Sequence, residues 1–222
     1  MELFFSKRTN VIVAVIVFTL MVFNIHNIVN NTPMVPDQFW AQKIFYFHVP
    51  IAWTGFLSYL IVMIAGILYL MNKKTIWDHL GFAAAEIGTL FVVLVLITGP
   101  IWAKPIWGTW WTWEPRLTTT LILFLIYVGY FMLRVFGGHP ERTSRYAAVL
   151  GIVAFFDVPI IFYSVRFWEE KYQSHPQVEI TKQNPEIVVP FLISLVIFTI
   201  LFSFMLKYRL HVLKITHNWK IN

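Results

Sequence analysis

The sequence predicts an all-α integral membrane protein with six transmembrane helices, both termini cytoplasmic, and a Trp-rich outer loop between helices 3 and 4. Three observations lead there. Hydrophobic residues make up 58% of the chain and charged residues only 13%, against about 25% charged in soluble domains. Six apolar runs, 9–29, 49–71, 81–101, 117–136, 146–163 and 188–206, reach the roughly 20 residues that cross a hydrocarbon core. Between them eleven of the 17 lysines and arginines fall on one side, and the remaining six (Lys43, Lys104, Arg116, Arg166, Lys171, Lys182) fall on the other. The basic side is the cytoplasmic one.

The first run follows Lys7 and Arg8 and has no small-residue cleavage site after it, so it reads as an uncleaved anchor. Runs two to four are joined by short connections, as are four and five, which makes antiparallel neighbours and one domain over residues 1–222. Neither an internal repeat nor a low-complexity tract interrupts them. Within the fifth run Asp157 precedes Pro159, where the helix loses a backbone bond and kinks. The net charge of +6 comes from loop lysines and arginines and serves topology, not nucleic acid; the apolar faces meet membrane lipid. Cysteine is absent, which excludes disulfides, thiolate metal sites and a cysteine nucleophile.

The outer connection between runs three and four reads WAKPIWGTWWTWEPRLTTT, residues 102–120. It holds Trp102, Trp107, Trp110, Trp111 and Trp113, half of the ten tryptophans in the chain, and is closed by Glu114 and Arg116. Indole rings are large, stiff and polarisable, so a cluster of them makes a platform for something flat and mostly apolar. Coiled as a helix, Trp107, Trp110 and Trp111 share one stripe. Gly108 lets a ligand approach the backbone, and Pro115 starts the next helix with Glu114 ahead of it at the positive end of the dipole. An aromatic belt is the alternative, but belts spread over both interfaces. Here Trp40, Trp53 and Trp168 join the five outside, and only Trp77 and Trp219 lie inside.

His79, His139, His211 and His217 belong to cytoplasmic segments and read as solvated. On the outer side His48 sits in KIFYFHVPIAW at the start of run two, and His175 sits in WEEKYQSHPQ after run five; His26 lies near an outer end. Two histidines, an aromatic floor and nearby cations on one surface suit a porphyrin. Neutral imidazole ligates haem iron, flat walls hold the macrocycle, and Arg116, Lys104 and Lys43 are candidate partners for its propionates. Glu86 and Asp157 lie within runs three and five, where an unpaired charge costs several kcal/mol, so each is expected to face the bundle interior, paired or protonated. Their alternatives are helix-to-helix hydrogen bonding or a polar path.

WGTWWTWEPRLTT resembles the tryptophan-rich (WWD) signature of the haem-handling membrane proteins of cytochrome c biogenesis. FHVPIAW, ITGPIWAKPIWGTWW and FWEEKYQSHP extend the likeness through most of the chain, and it is closest to the six-span cytochrome c maturation protein C family. That resemblance implies that His48 and His175 are the axial ligands of haem b on the periplasmic face of the cell inner membrane. It implies that Trp107, Trp110, Trp111 and Trp113 form the floor, with Glu114 and Arg116 as the closing acid and base. It also implies a membrane-anchored periplasmic haem chaperone as recipient, with ABC transporter subunits and a small helper membrane protein alongside. The chain differs from the family pattern in carrying Glu114-Pro115 where an Asp and a small residue are usual, and Lys43 where Arg is common. Glu86 is reminiscent of the synthases of the other biogenesis system.

On this reading the protein is a haem-presenting scaffold. It has no Cys-x-x-Cys-His and no Gly-rich phosphate loop, so the thioether nucleophile and any ATP coupling come from other subunits. A cytochrome c synthase-type component remains an alternative function, as does a proton or ion transporter built on Glu86 and Asp157, although transporter sites gather at the midplane. A cytochrome b-like subunit needs histidines deep in the spans, and only His26 comes near.

Overall fold

Glycines and prolines decide where the chain turns. In the computed structural model the described residues are 7–36, 38–167 and 183–219. Their order is α1 (Lys7–Asn31), a 3-10 helix (Phe39–Ile44), α2 (Phe45–Asn72), α3 (Thr75–Trp107), α4 (Pro115–Phe136), α5 (Pro140–Phe155), α6 (Asp157–Phe167) and α7 (Pro185–Trp219). Among the described residues six segments are long and apolar enough to cross a membrane; the 3-10 helix runs into α2, and α5 with α6 makes one segment.

α2 ends at Lys73, whose left-handed backbone (φ 58°) turns its N–H back onto the Tyr69 carbonyl at 2.8 Å. α4 and α5 each start with proline, which lacks only an N–H that a first turn leaves unused. The helices run further than the apolar runs suggest. α3 continues through Pro100 and Pro105 to Trp107, each proline giving up one ladder bond. α7 continues past 206 to Trp219, and there Arg209 finds Glu86 on α3.

α2 lies at the centre, against α3, α5 and α7. Its seam with α3 is made of small residues that let two backbones approach. A Cβ on Gly88 would lie 2.9 Å from both Ser58 Cβ and the Tyr59 ring. Across this seam Ser58 Oγ donates to the Ala84 carbonyl at 2.6 Å. The Tyr59 and Tyr127 rings stack at 3.8 Å inside the main apolar cluster, which Val62, Leu123 and Ile161 extend. α1 is peripheral and docks on α7 through Asn24, whose fully buried amide donates to the Pro190 carbonyl (3.1 Å) and Ser194 Oγ (2.8 Å).

Away from the Trp-rich loop, α3 presents Asp78, Phe82 and Glu86 one turn apart. Arg134 of α4 forks onto Asp78 at 2.7 and 3.0 Å and donates to Tyr130 Oη at 3.1 Å. Arg209 of α7 holds Glu86 at 2.6 and 2.8 Å. The Phe82 ring contacts both guanidinium groups, at 5.0 and 5.9 Å. Glu86 thus has the interior pairing expected of a carboxylate at this depth. Where a kink is expected at Asp157–Pro159, the helix is interrupted for one residue at Phe156, which keeps a helical backbone (φ −63°, ψ −20°), and α6 starts at Asp157. Asp157 is half-buried, and its Oδ2 has no hydrogen-bond partner among the described residues.

Candidate functional site

The site lies where α2 and α3 meet at the end bearing the Trp-rich loop. The 3-10 helix leads directly into α2, which places His48 in the first turn of α2, half-buried against α3. One turn of α3 surrounds its ring. His48 Nδ1 is 2.8 Å from Thr98 Oγ1. A Cβ on Gly99 would stand 3.4 Å from His48 Cε1, so that glycine gives the imidazole its room. The Trp102 ring meets it edge-on at 5.6 Å, and Phe45 reaches Trp102 from behind at 6.2 Å.

Beyond Trp102 the helix ends abruptly. Gly108 takes a left-handed backbone (φ 73°) that any Cβ would strain, and its N–H caps the Lys104 carbonyl at 3.1 Å. A helical stripe of Trp107, Trp110 and Trp111 therefore does not form. Trp107 is the last residue of α3, and Trp110, Trp111 and Trp113 stand on an irregular loop. Lys104 Nζ braces that loop from below by donating to the Gly108 carbonyl (2.8 Å) and lies 6.0 Å from the Trp110 ring centre. Thr109 Oγ1 donates to the Trp111 carbonyl at 3.2 Å. Trp111 and Trp113 meet edge to face at 5.8 Å. Trp110 and Trp113 keep 57% and 76% of their surface exposed, so their ring faces are open to a guest.

The loop closes on Glu114, which is buried, and on Pro115 at the start of α4. The next residue, Arg116, donates through Nη2 to the Phe162 carbonyl of α6 at 3.4 Å. Four polar atoms of this stretch, Trp102 Nε1, Trp111 Nε1, Thr112 Oγ1 and Arg116 Nε, are buried without a hydrogen-bond partner among the described residues. Native structures leave few such groups unmatched. Donors held away from water beside exposed indole faces suit a flat guest with an anionic edge.

The structure thus gathers Lys104 and Trp107 at the end of α3, Trp110, Trp111, Trp113 and Glu114 on the loop and Arg116 at the start of α4, with His48 in the adjoining seam and Trp102 between them. Lys43 points elsewhere: its Nζ is buried against the end of α1, donating to the Thr32 carbonyl at 2.7 Å and to Thr32 Oγ1, with the Trp40 ring centre 5.9 Å away. His175 and Trp168 lie outside the described residues. Thr98 and Gly99 are contacts to His48 that carry no role in the sequence reading, where Trp102 counts only toward the Trp cluster. Their 98, 99, 102 spacing puts all three on one helical face, which alone does not mark them out.

Comparison with known proteins fits this geometry. The family model described as Heme exporter protein C matches residues 2–220. Heme exporter protein C of Bradyrhizobium diazoefficiens is 37% identical over 177 residues, 78% of this chain and 67% of that protein. The protein of the same name from Haemophilus influenzae is 36% identical over 186 residues, 78% of this chain and 72% of its own length. That of Paracoccus denitrificans is 35% identical over 139 residues, 63% of this chain and 58% of its own. A match running nearly end to end, on a six-span helical bundle with the Trp-rich loop at one end, makes this chain a member of the Heme exporter protein C family of cytochrome c biogenesis.

Proposed function

We propose that the protein binds haem b at the periplasmic face of the cell inner membrane and presents it to a membrane-anchored periplasmic haem chaperone. ABC transporter subunits and a small helper membrane protein are its partners in that task. The observation that carries this reading is the pairing of exposed Trp110 and Trp113 with a ring-fixed His48 one helical stretch away. Haem, when bound, would supply an iron for imidazole nitrogens to hold and a reactive group for a partner to take up.

The chain's own residues bind, orient and shield. His48 and His175 are assigned as axial ligands. Trp107, Trp110, Trp111 and Trp113 provide the floor, on which apolar contact and stacking supply most of the affinity. Lys104 and Arg116 stand at the two ends of the loop as cations for the propionates, and Arg116 Nε is a donor already desolvated for the purpose. Glu114, buried beside the first turn of α4, counterbalances Arg116. Lys43 serves in the same anionic recognition if it exchanges Thr32 for a carboxylate, and in its present contact it fixes the approach to His48. The relatives' shared name supports the cargo, and the lopsided lysines and arginines support the side.

The deciding experiment is purification of the protein with His48→Gly or His175→Gly and measurement of haem content and absorption spectrum. Loss of haem or a changed axial spectrum is expected; an unaltered spectrum in both variants overturns the ligand assignment. Asp157 Oδ2, buried and without a partner among the described residues at the α5–α6 interruption, is the observation that favours a proton-conducting reading. That reading predicts flux in liposomes that Asp157→Asn abolishes, and the haem-presenting one predicts no flux to abolish.

A further inference from the structure

We infer that Thr98 is a positioning residue that locks His48 in the tautomer protonated on Nδ1, so that Nε2 carries the lone pair an iron requires. The inference rests on the haem-binding reading for its purpose, but not for its geometry. A threonine hydroxyl has one proton. Thr98 Oγ1 lies 2.7 Å from the Leu94 carbonyl oxygen and 3.5 Å from that of Val95. Two oxygens at 2.7 Å need a hydrogen between them, and a carbonyl has none to offer. The proton therefore points back along α3 to Leu94. What remains toward His48, 2.8 Å away, is an oxygen lone pair, and only an N–H on Nδ1 can satisfy it.

Gly99 and Trp102 complete the restraint. The first lies under Cε1 and the second meets the ring edge-on, so one turn of α3 sets both the protonation pattern and the ring plane. A ligating histidine is commonly held this way through its second nitrogen, and loss of that partner weakens metal binding by about ten-fold to a hundred-fold.

His26 shows the opposite arrangement on the same side of the bundle. Asn30 Nδ2 is 3.2 Å from His26 Nδ1 and donates to the His26 carbonyl at 2.9 Å. The second bond fixes the amide's orientation and makes the nitrogen a donor to Nδ1. His26 Nδ1 is then the acceptor and Nε2 the protonated nitrogen. Of these two histidines, the one beside the Trp-rich loop is the one held with its lone pair on Nε2.

The test begins without haem. In the full-length protein carrying nitrogen-15 in its imidazole rings, the His48 signals, assigned by their disappearance in His48→Gln, are expected to show Nδ1 as the protonated nitrogen. Protonation on Nε2 instead overturns the proposal. With haem added, Thr98→Val keeps the side chain's shape and removes the acceptor. It is expected to weaken haem binding at least about ten-fold, alter the ferric absorption spectrum and raise the reduction potential as the imidazole becomes a poorer donor. Thr98→Ser is expected to restore all three. A folded Thr98→Val protein with unchanged affinity, spectrum and potential overturns the positioning role, provided His48→Gly does lose haem. If His48→Gly also retains haem unchanged, the haem-ligand reading is what fails, and the tautomer measurement stands by itself. Should Thr98→Val not fold, the tautomer in the unaltered chain decides.

Discussion

Glu86 and Arg209 stand 123 residues apart in sequence and are joined by two charge-assisted hydrogen bonds of 2.6 and 2.8 Å. The pair fastens α3 to α7, and through Phe82 it adjoins the Arg134–Asp78 fork that fastens α3 to α4. Removing one partner strands the other in a poorly hydrated place, whereas removing both does not. Side chains about a third exposed (35% and 30%) soften the effect. Arg209→Met should lower unfolding stability by about 2 kcal/mol, and Arg209→Met with Glu86→Leu should recover at least half of that. Thermal unfolding in detergent measures both, and a double variant less stable than the single would refute the pairing argument.

Gly88 tests the central seam. Its substitution by Ala sets a Cβ 2.9 Å from Ser58 Cβ and the Tyr59 ring, and neither neighbour can retreat because Tyr59 is stacked on Tyr127. Overpacking of this kind costs about 1–3 kcal/mol. Gly88→Ala should show that loss in thermal unfolding, while Gly129→Ala, with nothing within 4 Å of the added carbon, should show none.

The exposed indoles should separate binding from stability. Trp110→Ala and Trp113→Ala remove rings that are mostly uncovered in the structure, so stability should change by less than about 0.5 kcal/mol. Each should nonetheless lower retained haem several-fold, since a stacked aromatic contributes about 0.5–1.5 kcal/mol beyond its area. Haem content and melting temperature read on the same preparations supply the comparison. A parallel fall in both quantities would mean that the rings are structural.

Asn24 supports the outermost helix. Asn24→Ala removes both hydrogen bonds from α1 to α7, and hydrogen bonds between helices in a membrane are worth about 0.6–2 kcal/mol. The expected result is a melting point lowered accordingly, with limited proteolysis cutting the chain between α1 and α2 sooner than in the unaltered protein. Equal proteolysis rates would show that α1 is held by other contacts.

Much of this architecture was legible in the residues. Six apolar runs of membrane-crossing length became six crossing segments, since backbone hydrogen bonds in lipid leave a helix little alternative. The Trp cluster was visible because so many indoles in one short connection exceed what packing requires. The stripe imagined along Trp107–Trp111 was not real: Gly108 adopts φ 73°, and a glycine's backbone choice is not written in its neighbours. The sequence offers Lys43 as a candidate cation beside Lys104 and Arg116, while the fold brings its Nζ onto Thr32, a contact set by tertiary structure alone. Thr98 gave no signal because a threonine bonded to the carbonyl four residues back is ordinary in an apolar helix. The extra contact to His48 exists only once α2 and α3 are paired.

The interruption at Phe156 has a mechanical consequence. α6 is set off from α5 by that one residue and packs on α4, with Arg116 gripping the Phe162 carbonyl. Arg116, just after the Trp-rich loop, and α6 are thereby tied to each other. A displacement of the first turn of α4 would carry to α6 through that contact.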